Sequence, residues 1–358
     1  MDPALLIPVP DAIPVPWGWF QALLLLTFFC HILLMNMMLG TAWIALASHF
    51  SKGGGTVVSE DLGGKLPFII AFTVNLGVAP LLFAQLLYGQ FVYTSSILMA
   101  AFWLAVIPLL TCAYALAYLY KYRFERLGRA RLVVIGLVTL LLLAIGFIYT
   151  NNFTLMQQPQ NWARYFDRPD GFLLNLNDPT LWPRYLHFML SAPAIGGLAL
   201  ALYHRWRASR GAKDAEAQIR RGCRWFTHAT LLNVLVGLWF VAVLPKGVLT
   251  LSTTTGLWLT VILVGGIVLT IPALVYGFAC RPLPATVCTL TVLALMVGAR
   301  SLLRTAMLAP WFSPADLPVQ PAWSPLVIFL VFFVAGLALI AWMLRFTARA
   351  TSSGEAQS

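Results

Sequence analysis

Ionisable side chains are costly inside apolar spans, so the few that this chain keeps there are its first clues to chemistry. His31 sits in the apolar run from 17 to 48, about 17 Å along a helix counted from Phe20. His187 sits about one and a half turns, or about 8 Å, down the fifth helix. An imidazole at such a depth can ligate a metal or a haem iron, accept a proton, or bond to a neighbouring helix. The stretch before His187, residues 151–182, is the longest polar interruption that is not basic, and it carries Asn151, Gln157 and Trp162. Asp178-Pro179-Thr180 then reads as a helix start, because Asp or Thr accepts from the free N–H groups of a first turn and Pro fits its opening position. Arg184 and Tyr185 follow it. Arg300 and Arg304, four residues apart, share one helix face. A paired anion would explain them: haem propionates, a lipid phosphate, or loop carboxylates such as Asp167, Asp170 and Asp178. The plainer alternative is that they snorkel to water.

The elements that must position these residues follow from composition. Of 358 residues 60% are hydrophobic and 10% charged, which places the chain among polytopic membrane proteins. Apolar runs at about 17–48, 67–91, 95–119, 132–150, 183–203, 227–245, 255–279, 283–303 and 324–345 are long enough to span. Each must be helical, because lipid offers no partner for backbone N–H and C=O groups. The expected fold is therefore an all-α polytopic bundle of about nine transmembrane helices. Of 23 Lys and Arg, all but Arg164, Arg168, Arg184, Lys246, Arg300 and Arg304 fall on one side, which puts the N-terminus outside and the C-terminus in the cytoplasm. The net charge of +11 is thus a topology signal that suits anionic lipid rather than nucleic acid.

Residues 1–16 read as an extended Pro-rich outer arm, 17–346 as one transmembrane domain with the outer loop 151–182, and 347–358 as a cytoplasmic tail. No basic stretch precedes the first run, so it does not read as a cleaved signal peptide. The loop from 48 to 65 is Gly-rich and reads as flexible, with His49 solvated. Gly77 and Pro80 fall mid-span and suggest a kink or the packed edge of a cofactor. The five cysteines form no CxxC or CxxCH motif and read as small buried hydrophobes. No internal repeat is evident, which counts against the common secondary transporters. All twelve acids lie outside the expected spans, so a transmembrane proton path is not expected. There is no P-loop and no hydrolase constellation. Polar and aromatic groups near the outer surface suit a quinone headgroup, a haem, or both.

His31 in helix 1, FTVNLGVAPLLFAQLLYGQFVYTSS in helices 2–3 and RYLHFMLSAPAIGGLALALY in helix 5 resemble subunit I of the cytochrome bd quinol oxidase family. The nine-helix count and the outer N-terminus are also similar. The resemblance covers about the first two thirds of the chain and implies a bacterial inner-membrane location. It makes His31 a candidate ligand of a b-type haem from the oxygen-site pair. It makes His187 a ligand of the b-type haem near the quinol site, with a methionine opposite. Arg300, Arg304 and Met307 fall where the family has outer basic and methionine residues. The family's acidic residues of helix 3, its GRQPW motif and its long loop after helix 6 have no counterpart, so the resemblance implies a bd-like subunit without oxygen reduction. Such a subunit is expected to pass quinol electrons to an extracytoplasmic cytochrome c-type partner. His31 and His187 stand at different depths from their helix starts, which argues for two sites, with Met35, Met37, Met189 and Met307 as available second ligands; a haem-free subunit stays open.

The expected function is an integral membrane electron-transfer subunit that draws on the quinone pool. His187 or Tyr185 would accept a quinol proton, Arg184, Arg300 and Arg304 would complete the site, and Asn151, Gln157 and Trp162 would join it from the loop. The alternatives are a non-catalytic anchor for a secreted redox or assembly partner, and a small-molecule transporter.

Overall fold

The computed structural model describes residues 2–51, 55–212 and 215–355, with backbone only at 56, 57 and 348–355. Among them are nine helices long and apolar enough to cross a membrane. They are α1 (Trp17–Ser48), α2 (Gly55–Leu98), α3 (Ala100–Leu127), α4 (Ala130–Leu155), α5 (Leu181–Ala208), α6 (Ala215–Ala242), α7 (Thr254–Phe278), α8 (Pro282–Leu308) and α9 (Trp323–Glu355). One end of the bundle carries segment 151–182 and is the lid end; the other carries the arginine-rich turns and is the basic end. The chain is a polytopic helical membrane protein whose apolar outer surface suits lipid.

Helix α2 is longer than its apolar run, because the Gly-rich stretch is helical from Gly55 onward; residues 52–54 lie outside the described residues. Its 44 residues would reach about 66 Å, twice the hydrocarbon thickness of roughly 30 Å. The break falls at Tyr88 (φ −136°, ψ 30°) rather than at Pro80, which α2 carries within helical backbone. The lid likewise begins inside α4, whose last turn holds Asn151, Asn152 and Thr154.

The bundle consists of two halves that repeat one another. α1 packs on α2 and α3 on α4; in the same way α5 packs on α6 and α7 on α8. The halves meet along α1 and α5, with α4 against α5 and, correspondingly, α8 against α1. Matching sequence runs through all four helix pairs. His31, Leu34, Gly40, Ala45 and Leu46 have the spacing of His187, Leu190, Gly196, Ala201 and Leu202. Val74 and Gly77 match Val234 and Gly237, and Ile107-Pro108 with Leu110 matches Ile271-Pro272 with Leu274. Thr139, Leu141, Leu143 and Gly146 match Thr291, Leu293, Leu295 and Gly298. This corrects the expectation of no repeat: loop lengths differ, so the offset drifts from one helix pair to the next. At the pseudo-two-fold axis equivalent residues face each other, as in any isologous contact. A Cβ on Gly40 would lie 2.1 Å from Ala192 O and 2.9 Å from Gly196 Cα, and one on Gly196 would lie 2.8 Å from Gly40 Cα.

The N-terminal arm is not wholly extended, because Pro3–Leu6 form a 3-10 turn capped by Asp2, and it is pinned further along. Ile13 is buried, its N–H donates to Pro318 O at 2.9 Å, and Gln320 N donates back to Ile13 O at 2.9 Å. The arm thus ties the lid end to the entry of α9. No side chain between 323 and 347 is buried, so α9 stands against the bundle's periphery.

His49 is not simply solvated. Its Nε2 lies 2.9 Å from both the Tyr120 hydroxyl and Ser59 Oγ, and Ser59 Oγ donates to Ala45 O at 2.8 Å. The cluster ties α1, α2 and α3 together at the basic end. Burial, and then the nearby Arg131 charge, hold the imidazole below its usual pKa of 6.5. The unfolded chain therefore binds this proton more readily, so the cluster's contribution is complete above pH 6.5 and falls as pH drops toward the folded value. The thermal midpoint should drop between pH 7.5 and pH 5.5 by more in the wild type than in His49→Gln; equal drops would show that the cluster does not titrate.

Candidate functional site

A slot-shaped cavity of about 260 Å³ runs between α5, α6, α7 and α8, with α1 as its back wall. Its lining is mostly Leu, Ile, Val and Phe. α5 contributes the face Arg184, His187, Phe188, Ser191 and Ile195, the three- and four-residue spacing of one helical stripe. Tyr185 lies a quarter turn away and points elsewhere.

His187 Nδ1 lies 3.3 Å from the carbonyl oxygen of Asn233 on α6. A carbonyl only accepts, so Nδ1 carries the proton and Nε2 keeps its lone pair. Among the described residues Nε2 has no protein partner. The ring rests on Gly237, where a Cβ would come within 3.1 Å of Cε1 and 3.3 Å of Nδ1. His31 has the same surroundings in the first half. Its Nδ1 donates to Thr73 O at 3.1 Å, and a Cβ on Gly77 would approach its Cε1 to 2.8 Å. In both sites the carbonyl residue precedes the glycine by four.

The repeat corrects the depth argument. α1 and α5 run parallel, since Asn36 bonds to Ser191 and Gly40 abuts Gly196 further along both helices. Each histidine precedes its axial glycine by nine residues, about 13 Å, so the two imidazoles lie at one depth. They still belong to separate sites. His31 faces α2, and α1 reaches the cavity through Phe28, Ile32 and Asn36 instead.

At the lid end Arg184, Arg300 and Gln157 line the cavity, and Arg304 is buried just beyond it. Other expected site residues lie elsewhere. The Tyr185 hydroxyl donates to Leu143 O on α4 at 3.1 Å, which commits it to packing. Trp162 is buried against Phe91, with its Nε1 donating to Leu155 O at 2.9 Å; it is the hydrophobic pin of the lid. Asn151 is buried and accepts from Asn175 N at 3.1 Å. It belongs to a lid network in which Gln158 Oε1 accepts from Asn161 and Asn175 while Gln158 Nε2 donates to Asp178. The loop carboxylates do not reach the arginines either: among the described residues, Asp170 pairs with Arg168, and the lid claims Asp178. The Phe172 N–H, and then Arg168, hold the Asp170 carboxyl below its usual range.

Four cavity-lining residues hold buried polar atoms that have no partner among the described residues: Asn36 Nδ2, Gln157 Oε1, Arg184 Nε and Asn233 Oδ1. Native interiors rarely leave such atoms unpaired, so the cavity calls for a polar ligand. Asn233 is a polar residue within an apolar run, a signal that points to the site as His187 does. Met296 is another residue that sequence reasoning passed over. It lines the cavity from α8, one turn inward of Arg300, as His187 is one turn inward of Arg184 on α5. Met35, Met37, Met189 and Met307 do not line it.

No family model and no curated protein matches this chain. The site must therefore be read from its own chemistry. Among the described residues no three His, Cys, Asp or Glu side chains gather to cage a metal ion. A haem needs no such cage, because the porphyrin supplies four ligands and the protein only the axial ones. One free Nε2, a thioether on another wall and arginines at one end fit that donor set.

Proposed function

We propose that this chain is the membrane subunit of an electron-transfer complex that oxidises quinol, with the lid end facing the outside of a bacterial inner membrane. The observation that carries this reading is the His187 imidazole: proton fixed on Nδ1, lone pair free on Nε2, set in the wall of a mostly apolar slot. A quinol needs an apolar channel for its tail and a base for its hydroxyl. Nε2 accepts a proton from one hydroxyl, and Gln157 Oε1 is an acceptor without a donor at the lid end. Oxidation of one quinol to quinone releases two electrons and two protons. The protons leave to the lid side, so no intramembrane acid is required. The electrons pass to an extracytoplasmic redox partner of the cytochrome c type, docked on the lid.

A b-type haem would instead be held by His187 and Met296, with Arg184 and Arg300 available to its propionates. When bound it would supply a one-electron carrier. His31 offers a matching imidazole in the first half. In either form the chain would be bd-like without oxygen reduction. A dithionite-reduced minus oxidised spectrum with a pyridine haemochrome assay separates the forms. A b-type band near stoichiometry, from the chain expressed alone, assigns the histidines to haem. Its absence leaves a haem-free site, and failure to oxidise quinol with a one-electron acceptor would then remove the reading.

The second reading is a non-catalytic anchor, favoured by α9, which buries no side chain between 323 and 347. It predicts that His187→Ala leaves the complex active while truncation of the lid releases the partner.

A further inference from the structure

Three guanidinium groups gather at the lid end of the cavity without the carboxylates that would neutralise them. Arg184 and Arg304 are buried; Arg300 is half-buried and lines the cavity. Their carbons sit over aromatic rings: Arg184 Cζ 5.3 Å from the Phe240 centroid, Arg300 4.3 Å from Phe28, and Arg304 4.4 Å from Tyr88. These faces orient and shield the charges, and burial under the lid rules out snorkelling for Arg184 and Arg304. The ion pairs among the described residues are Lys65–Asp61, Arg168–Asp170 and Arg220–Glu216, none of which involves the three. Asp178 acts on Arg184 from a distance while bonded to Gln158 and Thr180. Arg300 lies within electrostatic reach of both Arg184 and Arg304. Among the described residues Arg184 Nε and Arg304 Nε have no partner, and the Arg304 guanidinium bonds only to the neutral Ser301 hydroxyl at 3.3 Å. Three positive charges against one carboxylate leave an excess of two. Mutually repelling charges cannot stand unpaired in a low-dielectric interior.

We propose that Arg184, Arg300 and Arg304 bind a dianionic head group carried by an amphiphile whose apolar body occupies the cavity. Two carboxylates or two phosphates match the planar donor forks of arginine. The two sources of that chemistry are a pair of haem propionates and the paired phosphates of cardiolipin. In its haem form the inference deepens the proposed function and rests on it; in its lipid form it rests only on the cavity being a ligand site, because neutral quinol brings no charge.

The test uses the full chain, delipidated in neutral detergent, with unfolding followed by circular dichroism. Tetraoleoyl cardiolipin, haemin or dioleoyl phosphatidylcholine is added in turn. One dianion should raise the midpoint by roughly 5 °C near saturation, and phosphatidylcholine should not. A response to haemin alone that Arg300→Gln removes assigns the propionates, and one to cardiolipin alone assigns the phosphates. Arg300→Gln should lose most of the rise while its ligand-free midpoint stays at or above that of the wild type, because an unpaired charge has been removed. Arg300→Lys should keep part of it. The proposal is overturned if neither dianion exceeds phosphatidylcholine, or if the rise survives in the Arg184→Gln, Arg300→Gln double variant. Dianion binding without quinol oxidation would sink the quinol reading and leave this one.

Discussion

Replacement of His187 by alanine is expected to lower quinol oxidation by roughly 10²–10⁴-fold, the range supplied by a positioned general base. The effect follows from the fixed tautomer. The Asn233 carbonyl holds the Nδ1 proton, so Nε2 is the one basic atom the ring presents. Tyr185→Phe is the matched control. Its hydroxyl serves Leu143 O on α4, so the rate should stay within about twofold while stability falls by about 1 kcal/mol. Gly237 gives a graded version of the same test. A methyl there would press on the imidazole at 3.1 Å, so Gly237→Ala should slow the reaction by displacing the ring without removing it. Steady-state rates with a soluble quinol and a one-electron acceptor decide the matter. If His187→Ala keeps wild-type activity while Tyr185→Phe loses it, the assignment of the base is wrong.

The second large effect is on stability. Gly40→Ala should destabilise the bundle by about 3 kcal/mol, the upper part of the range for overpacking. The added Cβ would lie 2.1 Å from the Ala192 carbonyl oxygen and 2.9 Å from Gly196 Cα. These neighbours are backbone and cannot rotate away, so α1 and α5 would have to separate along the line joining the halves. Gly196→Ala should cost a similar amount, since its Cβ would meet Gly40 at 2.8 Å. The sign is the useful part, because glycine to alanine in an open helix position ordinarily gains up to about 1 kcal/mol. Gly336 in α9 has nothing within 4 Å and should behave in that ordinary way. Denaturation in mixed micelles measures all three. Unchanged stability in both Gly40→Ala and Gly196→Ala would mean that the halves do not meet at these glycines.

Much of the cavity's α5 wall was within reach of periodicity. Arg184, His187, Phe188 and Ser191 follow helical spacing, and that spacing already sets Tyr185 apart from them. Grouping Tyr185 with His187 followed chain proximity instead of the helix face. The lid misled differently. Asn151 and Trp162 have the composition of a binding loop, yet a loop folded over a membrane bundle must satisfy its own backbone and fill its own core first. Asn151 and Asn175 do the former, and Trp162 does the latter.

The sequence by itself determined that the chain is helical and membrane-embedded, and roughly where each span runs. Lipid leaves the backbone no alternative, so composition and run length suffice. It also singled out His31, His187 and the arginines, because charge or polarity in such a span needs a reason. Tertiary structure alone decided which of them share a site. Helix faces can be read locally, but what each face meets depends on packing between segments far apart in the chain. That packing placed Arg184 and Arg300 around one cavity, brought Met296 and Asn233 to its walls, and set His31 apart. It also revealed the repeat, because contacts between helices ignore the uneven loop lengths that hide it in a linear scan.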